Sequence, residues 1–123
     1  YSGNGREIRE WEERERRRME EHREQMRKYH YSKSDIPPRY RGKDFDGFIA
    51  EGDHQLKALE TCRAYADSFE DNKARGTSLI LCGNAGSGKT HLGCAVILAV
   101  IESMIAPARY TTASRLFRAI KDT

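Results

Sequence analysis

The sequence predicts an α/β fold: the N-terminal half of a three-layer domain built on a parallel sheet, with a long charged helix in front of it. Three observations predict it. Residues 77–82 (Thr-Ser-Leu-Ile-Leu-Cys) have the length and aliphatic content of a strand buried on both faces. A glycine-rich loop over 83–90 follows at once, and residues 91–101 are then apolar almost all round, as in a helix packed between a sheet and a second layer. After Pro107, residues 108–111 read as a second short strand, and Ala113, Leu116, Phe117 and Ile120 fall at helical spacing behind Thr112 as N-cap. The order from residue 77 is therefore βαβα, which implies parallel strands joined by right-handed crossovers. Two strands are too few for such a sheet, so more chain is expected after Thr123.

The glycine loop carries the chemistry. Gly83, Asn84, Ala85, Gly86, Ser87, Gly88, Lys89 and Thr90 fit the phosphate-cradling pattern G-x-x-x-x-G-K-T, in the strand, loop and helix order that the pattern requires. Its glycines let the backbone turn with positive φ, so that successive N–H groups point at an anion. The helix beginning near Gly88 adds its unpaired N–H groups and the positive end of its dipole. Lys89 is placed to reach the β- and γ-phosphates, and the Thr90 hydroxyl is placed to ligate Mg²⁺. The expectation is a site for a nucleoside triphosphate with Mg²⁺, in which Lys89 and Thr90 are the catalytic positions and Thr90 is the metal ligand.

The rest of the chain bounds this reading. With 123 residues there is room for one modest domain plus an extension, and a start at Tyr1 without Met suggests a piece of a longer chain. One third of the residues are charged and mean hydropathy is −0.83, yet the net charge is only +3, so the totals give no dominant nucleic-acid stripe. Cys62, Cys82 and Cys94 show no metal-ligand spacing and read as reduced core thiols of a cytoplasmic protein. No apolar run is long enough to span a bilayer, and no membrane role is expected.

Residues 6–31 are dense in Arg and Glu. Glu10 with Arg14, Glu12 with Arg16, Glu13 with Arg17 and Glu24 with Lys28 stand four apart with the acid first, which supports one long solvated helix. Its apolar residues, among them Ile8, Trp11, Met19 and Met26, are too sparse for a self-sufficient coiled coil, which leaves a spacer or a partner-docking helix. Pro37-Pro38 ends the helix and opens a linker through Gly47. Phe45, Phe48 and Ile49 are apolar islands there, and two readings stay open: satellite core, or a lid over the base of the nucleotide. An amphipathic helix follows over about 53–68 and is broken between Asp71-Asn72 and Gly76. Arg109, Arg115 and Arg118 are candidate DNA contacts or plain solvated surface.

The run Ile36-Pro37-Pro38-Arg39-Tyr40, then Phe45-Asp46-Gly47-Phe48, then the helix through Ala58, then Leu79-Ile80-Leu81-Cys82-Gly83 and Gly88-Lys89-Thr90-His91-Leu92, and finally Tyr110-Thr111-Thr112 with Leu116-Phe117-Arg118-Ala119-Ile120-Lys121, resembles the DnaC-type replicative helicase loaders. These are AAA+ ATPases, and IstB-type transposition helper ATPases look similar over the same stretch. The resemblance covers about residues 32–123. Behind the charged helical extension over 1–31, which matches only in being a charged lead-in helix, it implies a linker over 32–52 that packs on the ATPase domain and an incomplete AAA+ ATPase domain over 53–123 that contains Walker A. It also implies that 83–90 binds ATP and Mg²⁺, that Phe48 and Ile49 lie near the adenine, and that His91 belongs to the site as a packing or capping residue. The acidic pair, sensor and arginine finger of the family would follow residue 123, and the helicase-gripping segment would lie before or around residue 1. The implied partners are a replicative helicase, single-stranded DNA and further copies of the chain assembled with ATP. A transposition helper and a P-loop enzyme outside AAA+ remain the alternatives.

Overall fold

In the computed structural model, residues 4–84, 86 and 88–122 are described. Among the described residues five α-helices follow one another: α1 (Gly5–Ser32), α2 (Asp53–Asp67), α3 (Phe69–Arg75), α4 (Lys89–Met104) and α5 (Ala113–Lys121), with a 3-10 turn at Pro38–Tyr40. Asn4 caps α1, its side chain accepting the Glu7 N–H at 2.9 Å. At 28 residues α1 is about 42 Å long. Of the four expected pairs only Glu13 with Arg17 is bonded; Glu10 turns back to Arg6, and Glu24 joins Glu20 on Arg27. Each acid has a choice of basic neighbours before and after it along the helix, and spacing alone does not choose among them.

The core lies where α4 crosses α2 and the C-terminal part of α1. Leu92, Cys94, Ala95, Val100 and Ile101 of α4 are buried with Cys62 and Ala66 of α2. Arg27 of α1 donates from Nε to the Glu102 carbonyl at 3.1 Å, which satisfies an otherwise unpaired acceptor in the last turn of α4. Its bonds to Glu20 and then Glu24 raise its pKa further, against partial desolvation. The segment after α1 also enters the core: Ser34 and Ile36 are buried, and the Ser34 carbonyl accepts the Tyr110 N–H at 2.7 Å. Asp35, with φ of 58°, pairs with Arg109 beside this bond.

The expected α/β architecture is corrected here: among the described residues there is no strand and no sheet, and the chain is helical. Residues 77–82 form no strand and pair with no neighbouring strand. Thr77 N–H returns to the Asn72 carbonyl at 2.8 Å to close the end of α3, where Gly76 takes φ of 71°, and Tyr65 Oη donates to the Thr77 carbonyl at 2.9 Å. Beyond that Leu79 and Leu81 are half-buried, while Ile80 is 81% exposed and Cys82 is exposed. The physical reason is that a strand is made by a neighbour: aliphatic composition suits a buried strand, but only a paired backbone and a layer on each face bury it. Residues 108–111 form no strand either, since Tyr110 bonds to Ser34 instead. The helix read over 53–68 ends at Asp67, and the chain restarts after Ser68 as α3 where a break had been expected.

Cys62 and Cys94 are buried and burial pushes both thiols up, whereas Cys82 is exposed, so the expectation of three core thiols fails for Cys82. Thr112 caps α5, its Oγ1 accepting the Arg115 N–H at 3.2 Å. Leu116 and Phe117 of α5 are exposed. Among the described residues no helix is long and apolar enough to cross a membrane.

Candidate functional site

The candidate site is built where the glycine loop runs into α4. Gly88 is the residue before the helix, with φ of 91° and ψ of 10°, and Gly86 has φ of 82°. Both values lie where a Cβ is disfavoured, which is the reason the sequence places glycine there. The Leu92 N–H bonds to the Gly88 carbonyl at 3.0 Å to start α4, and the N–H groups of its first turn have no acceptor within the helix. Lys89 folds back over the loop, its ammonium donating to the Gly83 carbonyl and to the Asn84 carbonyl, the latter at 2.9 Å. Thr90 stands half-buried in the same turn. Ala85 and Ser87 lie outside the described residues.

Residues 44–49 meet this loop from the other side. Asp44 Oδ1 accepts the Gly47 N–H at 2.8 Å and the Phe45 carbonyl accepts the Phe48 N–H at 3.1 Å, two local bonds that coil the segment. From α2, Arg63 bonds to Asp46 at 2.9 Å and lies over the Phe45 ring at 5.5 Å. From α4, His91 Nε2 stands 2.8 Å from the Asp44 carbonyl, and its ring meets Phe48 edge-on with centroids 5.2 Å apart. Phe48 in turn presses on the glycine loop so closely that a Cβ on Gly88 would come within 2.6 Å of its Cε2.

A pocket of about 230 Å³ opens between the two segments, lined by Phe48, Ile49, Glu51 and Gln55 on one side and by Gly86, Gly88 and His91 on the other. That is below the roughly 300 Å³ at which pockets for whole drug-sized ligands begin, so it suits one ring of a ligand rather than all of it. Ile49 is 82% exposed at its rim. The structure thus brings Phe48, Ile49, Gly86, Gly88 and His91 to one pocket, with Lys89 and Thr90 in the adjoining turn. Glu51 and Gln55, whose Oε1 accepts the Glu51 N–H at 2.8 Å, were not legible as site residues, because nothing local marks them. Arg109, Arg115 and Arg118 are elsewhere, around the Asp35 pair and α5. Among the described residues no group of three or more His, Cys, Asp or Glu could hold a metal ion by itself.

Over about half of its length the chain is similar to replicative helicase loaders. It is 33% identical over 66 residues to the replicative helicase loader DnaC of Escherichia coli (strain K12), which is 54% of this chain and 26% of that protein. The loader DnaC of Buchnera aphidicola subsp. Acyrthosiphon pisum is 38% identical over 64 residues, 52% of this chain and 25% of the relative. The matched stretch therefore spans about a quarter of the length of these loaders. No protein-family model matches the chain, and no solved structure matches it.

Proposed function

We propose that the chain belongs to a DnaC-like helicase loader, and that it holds ATP with Mg²⁺ at residues 83–90 while Phe48 and Ile49 face the base. The observation that carries the reading is the convergence of a glycine loop, a helix N-terminus and an aromatic wall on one pocket. Similarity to loaders over about half of the chain supports the biological half of it.

The donor set fits a polyphosphate. Lys89, bonded to two loop carbonyls, is a cation already held at the loop, and its carbonyl bonds are exchangeable for bonds to phosphate oxygens. The first-turn amides of α4 add neutral donors and the positive end of the helix dipole. Thr90 would offer its hydroxyl to the metal, and Gly83, Asn84, Ala85, Gly86, Ser87 and Gly88 would supply the backbone cradle. Bound Mg²⁺–ATP supplies a cleavable phosphoanhydride and a counter-charge. In the whole protein, binding at this site would favour assembly of loader copies on a replicative ring helicase and its delivery to single-stranded DNA. Residues 1–31 would serve as the charged extension and 32–52 as the connection to the nucleotide-binding part.

The test is a titration of a fluorescent ATP analogue with Mg²⁺ into the chain and its Lys89→Ala variant. Loss of a charge-assisted contact should weaken binding by about 10-fold or more. Near-equal affinity of the two proteins would contradict the assignment.

A further inference from the structure

We infer that His91 is a positioning residue for the base, the clip that holds residues 44–49 against the glycine loop and so gives the site its preference for a nucleotide over bare polyphosphate. The inference rests on the nucleotide site proposed above and assigns to one side chain the specificity of that site.

A carbonyl oxygen only accepts, so the 2.8 Å contact with Asp44 requires His91 Nε2 to carry the proton and donate it. Asp44 is thereby held at both ends: its carboxylate closes the turn to Gly47, and its carbonyl is tied to α4. The local bonds of 44–48 fix the shape of the segment but not where it lies. Among the described residues, two polar ties hold it from outside, Arg63 on α2 and His91 on α4, and the second crosses to the helix that begins at the glycine loop. The same imidazole packs edge-on against Phe48, whose ring touches the Gly88 backbone. One residue therefore sets both the height of the loop and the angle of its aromatic wall. Lys89, by contrast, bonds to Gly83 and Asn84 among the described residues, so the cation of the phosphate side is placed by the loop itself and not by the 44–49 segment.

Severing the clip should thus cost base recognition and leave phosphate binding alone. Isothermal titration of the 123-residue chain with ATP and with inorganic tripolyphosphate, each with Mg²⁺, separates the two. His91→Leu keeps bulk against Phe48 but has no donor; His91→Gln can place an amide N–H close to where Nε2 stands. The expected result is a loss of about 3- to 10-fold for ATP in His91→Leu, the size of one hydrogen bond, with tripolyphosphate within about 2-fold and most ATP affinity restored in His91→Gln. Equal weakening of both ligands, no weakening of either, or a His91→Gln variant as poor as His91→Leu would overturn the clip while leaving the nucleotide site standing. A wild-type chain that binds neither ligand would overturn the nucleotide site, and the clip with it. Should His91→Leu lose its helical circular dichroism, His91→Phe, which keeps a ring against Phe48 but has no donor for the Asp44 carbonyl, takes its place: it must show the same ATP-selective loss, and an unselective one overturns the inference.

Discussion

Replacing Gly88 by alanine tests the contact on which the geometry of the site turns. Two costs add. The backbone at φ of 91° is one that a residue with a Cβ adopts only at a cost of about 1–2 kcal/mol. The new methyl would also stand 2.6 Å from Cε2 and 3.1 Å from Cζ of Phe48, well inside van der Waals distance, so the ring must leave. Its departure forfeits the edge-on pair with His91, worth about 0.5–1.5 kcal/mol. Together the loss is about 2–3 kcal/mol, a fall in Tm of about 8–12 °C at roughly 4 °C per kcal/mol for a chain of this size. Thermal unfolding followed by far-ultraviolet circular dichroism reads it directly. The decisive measurement is a cycle with Phe48→Ala. Once the ring is gone, Gly88→Ala should cost only its backbone part, so the double variant should be about 1 kcal/mol more stable than the two single losses imply, beyond the roughly 0.5 kcal/mol expected of independent sites. Strict additivity would mean that the ring and the glycine do not touch, and the pocket as described would fall.

Two further outcomes follow from the fold. Ile101, 1% exposed in α4, should cost about 2–5 kcal/mol on truncation to alanine, whereas Ile80→Ala should stay within about 0.5 kcal/mol, as measured by urea unfolding; a large Ile80 effect would restore the buried strand that the structure replaces. At Asp35 the Arg109 guanidinium, by hydrogen bonding and then by charge, holds the carboxyl below the usual carboxylate range. A lowered folded pKa gives stability that is present above the unfolded value near 4 and is lost as pH falls through the folded one. Asp35→Asn, which keeps a side chain tolerant of φ at 58°, should remove that acid-side decline; unchanged Tm-versus-pH curves below pH 4 would refute the pairing.

Much of the local structure was legible from residues alone. The Thr112 cap and the long Arg/Glu helix each have a mechanism contained within a few neighbouring positions, and the structure places both. Four of the eight loop residues, Gly83, Asn84, Lys89 and Gly88, are seen interacting around the start of α4, and glycine stands at the two positions where φ demands it. The restart of the helix after Ser68 was hidden because no Gly or Pro marks it. The buried strand was misread because residues 77–82 carry the right side chains without a partner backbone, and the same error put Cys82 in the core.

Sequence by itself determined the long charged helix, the helix start behind Gly88, the Thr112 cap and where the glycine loop lies, because helix hydrogen bonds, caps and positive-φ turns close within a few residues. Tertiary structure decided which apolar runs are buried and that Asp44 and His91, 47 positions apart, meet across the pocket. Those outcomes depend on contacts between distant segments, whose cost in loop closure and reward in burial no local pattern contains.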